Sequence, residues 1–309
     1  QLTSGLLLVE YEVNPSNVIR GDIKERIVTR VLIDPLTNHL SRGMDLAMNT
    51  LSYETLLYTV EDGIAEIRLN RPPLNLLDEL STLEYHRALA VADADPEVRV
   101  IILCGNGKGL SAGLDLKILK SFSTKDMQVF LRLFYVDTVR IVRGLTKPII
   151  AAVHGYAREG ACTLAFLCDM VIASDDADFA YPGVPNLAGP PGMHVWFLQR
   201  LIGRMKAAEL ILTGDPISAI EADRLGMITR CCPRENLDSE TRTLASRLAQ
   251  MSPLALQRTR DLMYQMENMS FDEVPELALT ALSDTFDSED SQEGRRAFLE
   301  KRSPKWVGR

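Results

Sequence analysis

The sequence is poor in cysteine. Its 309 residues hold five, Cys104, Cys162, Cys168, Cys231 and Cys232. The count is odd, two are adjacent, and no CxxC spacing occurs, which argues against a disulfide scaffold or a zinc site and for reduced, buried thiols. Histidine is scarcer still. The four, His39, His86, His154 and His194, show no ligand spacing, so no metal or redox cofactor is implied. Long apolar runs are missing as well. Val98 to Leu103 and Pro148 to Val153 are strand-sized, far short of the ~20 residues that span a bilayer. Positive charge is in deficit, 34 basic against 42 acidic side chains for a net charge of −8, which speaks against a nucleic-acid footprint. The first residues lack a basic stretch leading into an apolar segment and a cleavage site. The cytoplasm is therefore the expected compartment, with neither nucleic acid nor membrane as partner.

What is present is an ordinary globular balance, 46% hydrophobic and 25% charged, on a chain long enough to bury a substantial core. Three stretches differ in character. Residues 1–50 read as an N-terminal extension of uncertain role, 51–240 as the main body, and 241–309 as a helical region. In the body, Leu56 to Val60 and Ile64 to Leu69 flank the turn Glu61-Asp62-Gly63 and predict a β-hairpin. Leu77 to Ala92 and Thr124 to Arg143 have helical spacing. Val98 to Cys104, Pro148 to Val153 and Asp169 to Ala173 are short apolar runs of the kind that form strands covered on both faces. Phe179 to Tyr181 reads as a short fourth strand, and Met193 to Ile202 as a helix ending at Gly203. After Ser252-Pro253 the chain is almost wholly helical to about Glu300. Strands alternating with helices, then a helical tail, indicate an α/β fold.

Two strand-to-helix connections have chemical potential. Leu110-Ser111-Ala112-Gly113-Leu114-Asp115-Leu116-Lys117 follows one buried run and opens a helix. Val153-His154-Gly155-Tyr156-Ala157-Arg158-Glu159-Gly160-Ala161-Cys162-Thr163-Leu164 follows the next and does the same. The first turn of a helix has free N–H donors that suit an anion, and Gly160 permits close approach to the backbone. Either segment alone is an ordinary connection. Together they are able to aim two N–H groups at one point, the arrangement of an oxyanion hole.

These segments also carry a family resemblance. Ser111-Ala112-Gly113-Leu114-Asp115-Leu116-Lys117 resembles the SAGxDLK segment of the crotonase (enoyl-CoA hydratase/isomerase) superfamily. Lys147 to Gly155 resembles its KPxIAAVxG strand and turn, and Cys168 to Ala173 its CDxxIA strand. Leu212 to Ala219, with Glu221-Ala222 and Leu225-Gly226, is similar to its LTGxxIxAxEAxxxGL run. Glu293 to Arg302, with Pro304, is similar to its EGxxAFLEKRxP ending. The blocks keep family order from about residue 53 to 309.

The resemblance implies a repeated ββα core in a spiral, with C-terminal helices that pack across subunits of a homotrimer or homohexamer. It implies an acyl-CoA substrate, coenzyme A entering as part of that substrate with no other cofactor. It also implies an oxyanion hole made by the amides of Leu114 and Gly160. For coenzyme A the matching positions are Ala112, Asp115, Lys117, Phe298 and Lys301, each lysine being equally readable as a solvated surface charge. Asp115 is equally readable as the cap of its helix.

The sequence departs from the family where hydration needs carboxylates. The position three residues after the oxyanion glycine is Thr163, and the usual Pro-Glu pair is Pro182-Gly183. Neither residue supplies the base and acid that adding water requires. Glu159 and His194 are the candidate replacements. If Glu159 faces the site, its pKa is raised by desolvation or held down by Arg158; the alternative is an exposed ion pair with Arg158. His194 is a possible proton shuttle or a helix-capping or interface histidine. Tyr135 and Tyr181 line the acyl site or are core. The expected function is enolate chemistry on an acyl-CoA, of hydratase/isomerase type with a non-standard acid/base. The alternatives are a CoA-ester decarboxylase or hydrolase, or a non-catalytic acyl-CoA-binding homologue.

Overall fold

The computed structural model describes residues 52–309; the N-terminal extension lies outside the described residues. Strands β1 (Leu56–Glu61) and β2 (Ile64–Leu69) form the expected antiparallel hairpin. β3 (Val100–Gly105), β4 (Ile149–Val153), β6 (Met170–Ser174) and β9 (Arg230–Cys232) then add in parallel, giving a six-stranded sheet of order β1-β2-β3-β4-β6-β9. A second, three-stranded sheet contains β5 (Tyr156–Arg158), β7 (Asp178–Ala180) and β8 (Ile217–Ser218). The chain passes from the large sheet to the small one and into a helix, then repeats, so β4-β5 leads to α5 (Gly160–Leu167) as β6-β7 leads to α6 (Gly183–Leu187).

Period-two alternation explains the continuous apolar runs. Ile101, Leu103, Ile149, Ala151 and Val153 face the principal core, where α1 (Glu79–Ala94) contributes Tyr85, Ala88 and Leu89. Val100, Ile102, Cys104, Ile150 and Ala152 face the other side. That side is covered by Leu237 and Ala245 of α9 (Leu237–Ala249), packed with Leu244 and Leu248. A strand buried on both faces has no polar position to spare.

Between β3 and β4 lie α2 (Leu116–Leu119), α3 (Thr124–Leu131) and α4 (Thr138–Gly144); a π-helical turn, Arg132–Asp137, joins the last two. α7 (His194–Thr213) changes direction at Gly203, where φ 76° and ψ 159° interrupt the helix where the sequence placed its end. α8 (Ala219–Arg224) precedes β9. No helix among the described residues is long and apolar enough to cross a membrane.

The last three helices are α10 (Pro253–Met266), α11 (Val274–Phe286) and α12 (Glu289–Glu300). For their length they bury little. α10 buries one side chain, Arg260, and α11 buries none. Arg260 is the anchor. Its Nε meets Asp169 at 2.8 Å and its Nη1 donates to the Leu145 carbonyl at 2.7 Å, beyond the end of α4. Asp169 in turn accepts the Ile149 amide at the start of β4 at 2.8 Å and the Tyr264 hydroxyl at 2.9 Å.

Candidate active site

The segment after β3 is pinned from both sides. On one side Ala112 N–H donates to Leu74 O (2.9 Å), Leu77 N–H to Gly113 O (2.9 Å) and Asp115 N–H to Leu77 O (2.8 Å). The buried Asn75 holds this contact in place, its amide donating to the carbonyls of Asn106 and Leu110 at 2.8 and 3.1 Å. On the other side Leu110 N–H donates to Tyr156 O and Arg158 N–H to Ser111 O. Gly113 adopts φ +93°, a value few side chains tolerate, and a β-carbon there would come within 3.0 Å of Arg158 O. Its own N–H is taken by Ser111 Oγ at 3.0 Å. From Ala112 to Asp115, Leu114 is thus the residue whose amide has no acceptor among the described residues.

The segment after β4 ends in the same way. Glu159 N–H donates to Ala180 O at 3.1 Å, and the Glu159 carbonyl accepts the Thr163 amide at 3.2 Å to begin α5. The Gly160 amide has no acceptor among the described residues, and no side chain caps the helix. A β-carbon on Gly160 would lie 2.9 Å from Phe134 Cζ, 3.2 Å from Leu77 Cδ1 and 3.3 Å from Leu114 Cδ2. The two turns that carry the unbonded amides therefore touch, through the Leu114 side chain at Gly160.

Glu159 is the unusual residue. Its backbone sits at φ 44°, ψ −107°, a strained region for a residue with a β-carbon. Its carboxyl is turned inward, with Oε1 buried and unpartnered. Desolvation raises its pKa, partly opposed by the nearby Gly183 backbone. The ion pair with Arg158 is not formed, because the Arg158 guanidinium pairs with Asp178 instead. Gly183 makes the room: a β-carbon there would be 3.0 Å from Glu159 Oε1.

Above this carboxyl the π-helical turn brings Phe134 and Tyr135 to the site, their rings edge-to-face at 5.1 Å. The Tyr135 hydroxyl lies near Thr163, and its pKa is pushed up to about 12, first by burial and then by the Glu159 charge. A β-carbon on Gly192 would fall 2.5 Å from that hydroxyl, so the loop before α7 rests on it.

His194 is fully buried. Burial lowers its pKa to about 3, so the ring is neutral. Nε2 lies 2.8 Å from the Glu159 carbonyl and 3.1 Å from Thr163 Oγ1. A carbonyl can only accept, so Nε2 carries the proton. Nδ1 is left as a buried acceptor without a partner. Tyr181 packs on the ring with centroids 4.4 Å apart.

The other sequence-level candidates lie elsewhere. Asp115 caps α2, accepting the Lys117 amide at 3.1 Å, and meets Arg71 Nη2 at 3.4 Å. The Ala112 amide is spent on Leu74. Lys117 is exposed on α2, Phe298 is exposed on α12, and the exposed Lys301 ends α12 at φ 52°. Lys301 N–H donates to the Phe298 carbonyl at the end of α12 (3.3 Å), and neither residue meets Lys117 by a hydrogen bond or ion pair. Leu77 and Phe134, which wall the site around Gly160, carry no signal in the sequence pattern.

Comparison with known proteins is informative over this whole region. The profile of the family described as enoyl-CoA hydratase/isomerase matches residues 59–309. A probable enoyl-CoA hydratase of Mycobacterium bovis is 36% identical over 84% of this chain and all of that protein. A crotonyl-CoA hydratase of Syntrophomonas wolfei is 31% identical over 84% of this chain and all of its own length. Among solved structures, an enoyl-CoA hydratase subunit I from Geobacillus kaustophilus superposes with a TM-score of 0.78 at 34% identity, covering 83% of this chain and 99% of that one.

Proposed function

The chain belongs to the enoyl-CoA hydratase/isomerase family, and from that premise we propose that it transforms an acyl-CoA thioester through an enolate, with Glu159 as its single acid/base. One observation carries the reading: the acceptor-free amides of Leu114 and Gly160 sit on touching turns beside one buried carboxyl. The thioester oxygen accepts from both amides, and charge that moves onto it in the enolate is stabilised there. Glu159 moves the proton. In hydration it takes a proton from the attacking water and returns it to the α-carbon. In a double-bond shift it carries a proton from one carbon to another. A carboxyl with a raised pKa is a stronger base once ionised and a ready donor once protonated. His194 is not given this role, because its one N–H is engaged by a backbone carbonyl.

The test is turnover of crotonyl-CoA and of a β,γ-enoyl-CoA by wild type and by Glu159→Gln. Turnover by wild type, lost in the variant, supports the reading. Tight binding of both esters without turnover by wild type refutes it and points to a binding protein. Turnover of malonyl-type esters alone points to decarboxylation.

Self-association into a trimer or hexamer belongs to the same proposal. α11 buries nothing, and Leu282, Phe286 and Leu299 on the C-terminal helices are more than half exposed, an apolar area of the kind that marks an interface. A monomer by light scattering at micromolar concentration would remove this part.

A further inference from the structure

We infer that His194 is a positioning residue that fixes the Glu159–Gly160 peptide so that the Gly160 N–H faces the substrate carbonyl. The inference rests on the oxyanion role proposed above. That peptide is trans, since the cis bond in the described chain is Pro72–Pro73, and a trans peptide holds its C=O and N–H in one plane, pointing opposite ways. His194 Nε2 binds the carbonyl at 2.8 Å. Holding that oxygen therefore aims the N–H away from the imidazole, out of the helix start.

The orientation needs holding. Glu159 at φ 44°, ψ −107° is strained. A half-turn of the peptide would carry it toward the left-handed helical region, which residues with a β-carbon visit at lower cost. It would also point a carbonyl, not an N–H, at the thioester oxygen. Two donors oppose the turn: the Thr163 amide at 3.2 Å and the His194 ring. The Thr163 bond is the ordinary first bond of a helix. The histidine bond is an addition, made although it strands Nδ1 as a buried, unpartnered acceptor. The Tyr181 ring and the Thr163 hydroxyl fix the imidazole so that Nε2 meets this oxygen. A donor on the carbonyl also polarises the peptide and strengthens its N–H as a donor.

The experiment reads the hydrogen bond itself. Infrared difference spectra of butyryl-CoA, isotope-labelled at its carbonyl, report how strongly the enzyme polarises the thioester. The proteins compared are wild type, His194→Phe and His194→Gln. Phenylalanine keeps a ring against Tyr181 and removes the donor; glutamine restores an N–H donor. Wild type shifts the carbonyl band to lower frequency. His194→Phe loses most of that shift and roughly tenfold to a thousandfold in kcat, while its affinity for the ester stays within a few-fold. His194→Gln recovers the shift and most of kcat. A folded His194→Phe protein with the wild-type shift overturns the inference, and so does a folded His194→Gln protein without any shift. The glutamine variant decides alone should the phenylalanine variant fail to fold. If wild type binds the ester but shifts nothing, the oxyanion reading itself fails, an outcome distinct from the other two.

Discussion

The turns that follow β3 and β4 do the same work with different materials. The first places its strain on glycine: Gly113 at φ +93° precedes Leu114, and Asp115 caps the helix beyond. The second places its strain on Glu159, has no capping side chain, and has its carbonyl bound by a histidine 35 residues further along the chain. A glycine at 159 would hold the backbone more cheaply, but it would bring no carboxyl. In the proposed mechanism the first turn presents an amide, and the second an amide and a proton carrier from adjacent residues.

The comparison is most directly broken at the carboxyl. Glu159→Gln keeps the backbone and removes the base, so kcat is expected to fall by about 10²–10⁴ with little change in ester affinity, measured by steady-state kinetics. Gly160→Ala comes next. Its β-carbon meets Phe134, Leu77 and Leu114 and narrows the approach to the amide, so kcat is expected to fall by roughly 10²–10³. Gly183→Ala should cost less, about tenfold to a hundredfold in kcat, by displacing the Glu159 carboxyl it touches. Normal activity in that variant would show that the carboxyl position is not critical.

Stability should move the other way. Glu159→Gly removes the strain and is expected to raise unfolding free energy by about 1 kcal/mol while abolishing activity, as read from urea midpoints. An equal or lower midpoint would show that the turn is not strained. The pH dependence sharpens this. Burial raises the Glu159 pKa above 4.5, so its contribution to stability is complete below that value and is lost as pH rises through the folded pKa. The stability of Glu159→Gln relative to wild type should therefore increase from acid to neutral pH. The Tyr135, Tyr181 and Cys162 side chains facing this carboxyl all have raised pKa values and stay protonated across that window. Asp115→Ala tests the first turn and should have the smallest effect, about 1 kcal/mol of stability from the lost cap.

The large sheet was legible because strands covered on both faces leave an unbroken apolar run, as Val100 to Cys104 and Ile149 to Val153 do. Leu114 and Gly160 were named through the family resemblance of the segments that hold them, because two glycine-rich connections alone do not say which amide is left free. Glu159 was only half legible. Its neighbour Arg158 suggested an ion pair, and what decides otherwise is Asp178, brought alongside by the pairing of β5 with β7. The role of His194 was not legible, because its partner is a main-chain carbonyl that no side-chain pattern marks. The same holds for Gly183, whose meaning is the room it leaves for a residue 24 positions earlier. The helices after Pro253 were legible as helices, but how little they bury depends on what else is nearby.

The Arg260 anchor has a temporal side. Asp169 and Arg260 are 91 residues apart in the chain, and synthesis runs at about 5–20 residues per second. For roughly 5–18 seconds the growing polypeptide holds the start of β4 and the carbonyls beyond α4 without the guanidinium that later binds them. The start of β4 and the end of α4 are thus tied together by a residue that emerges long after both.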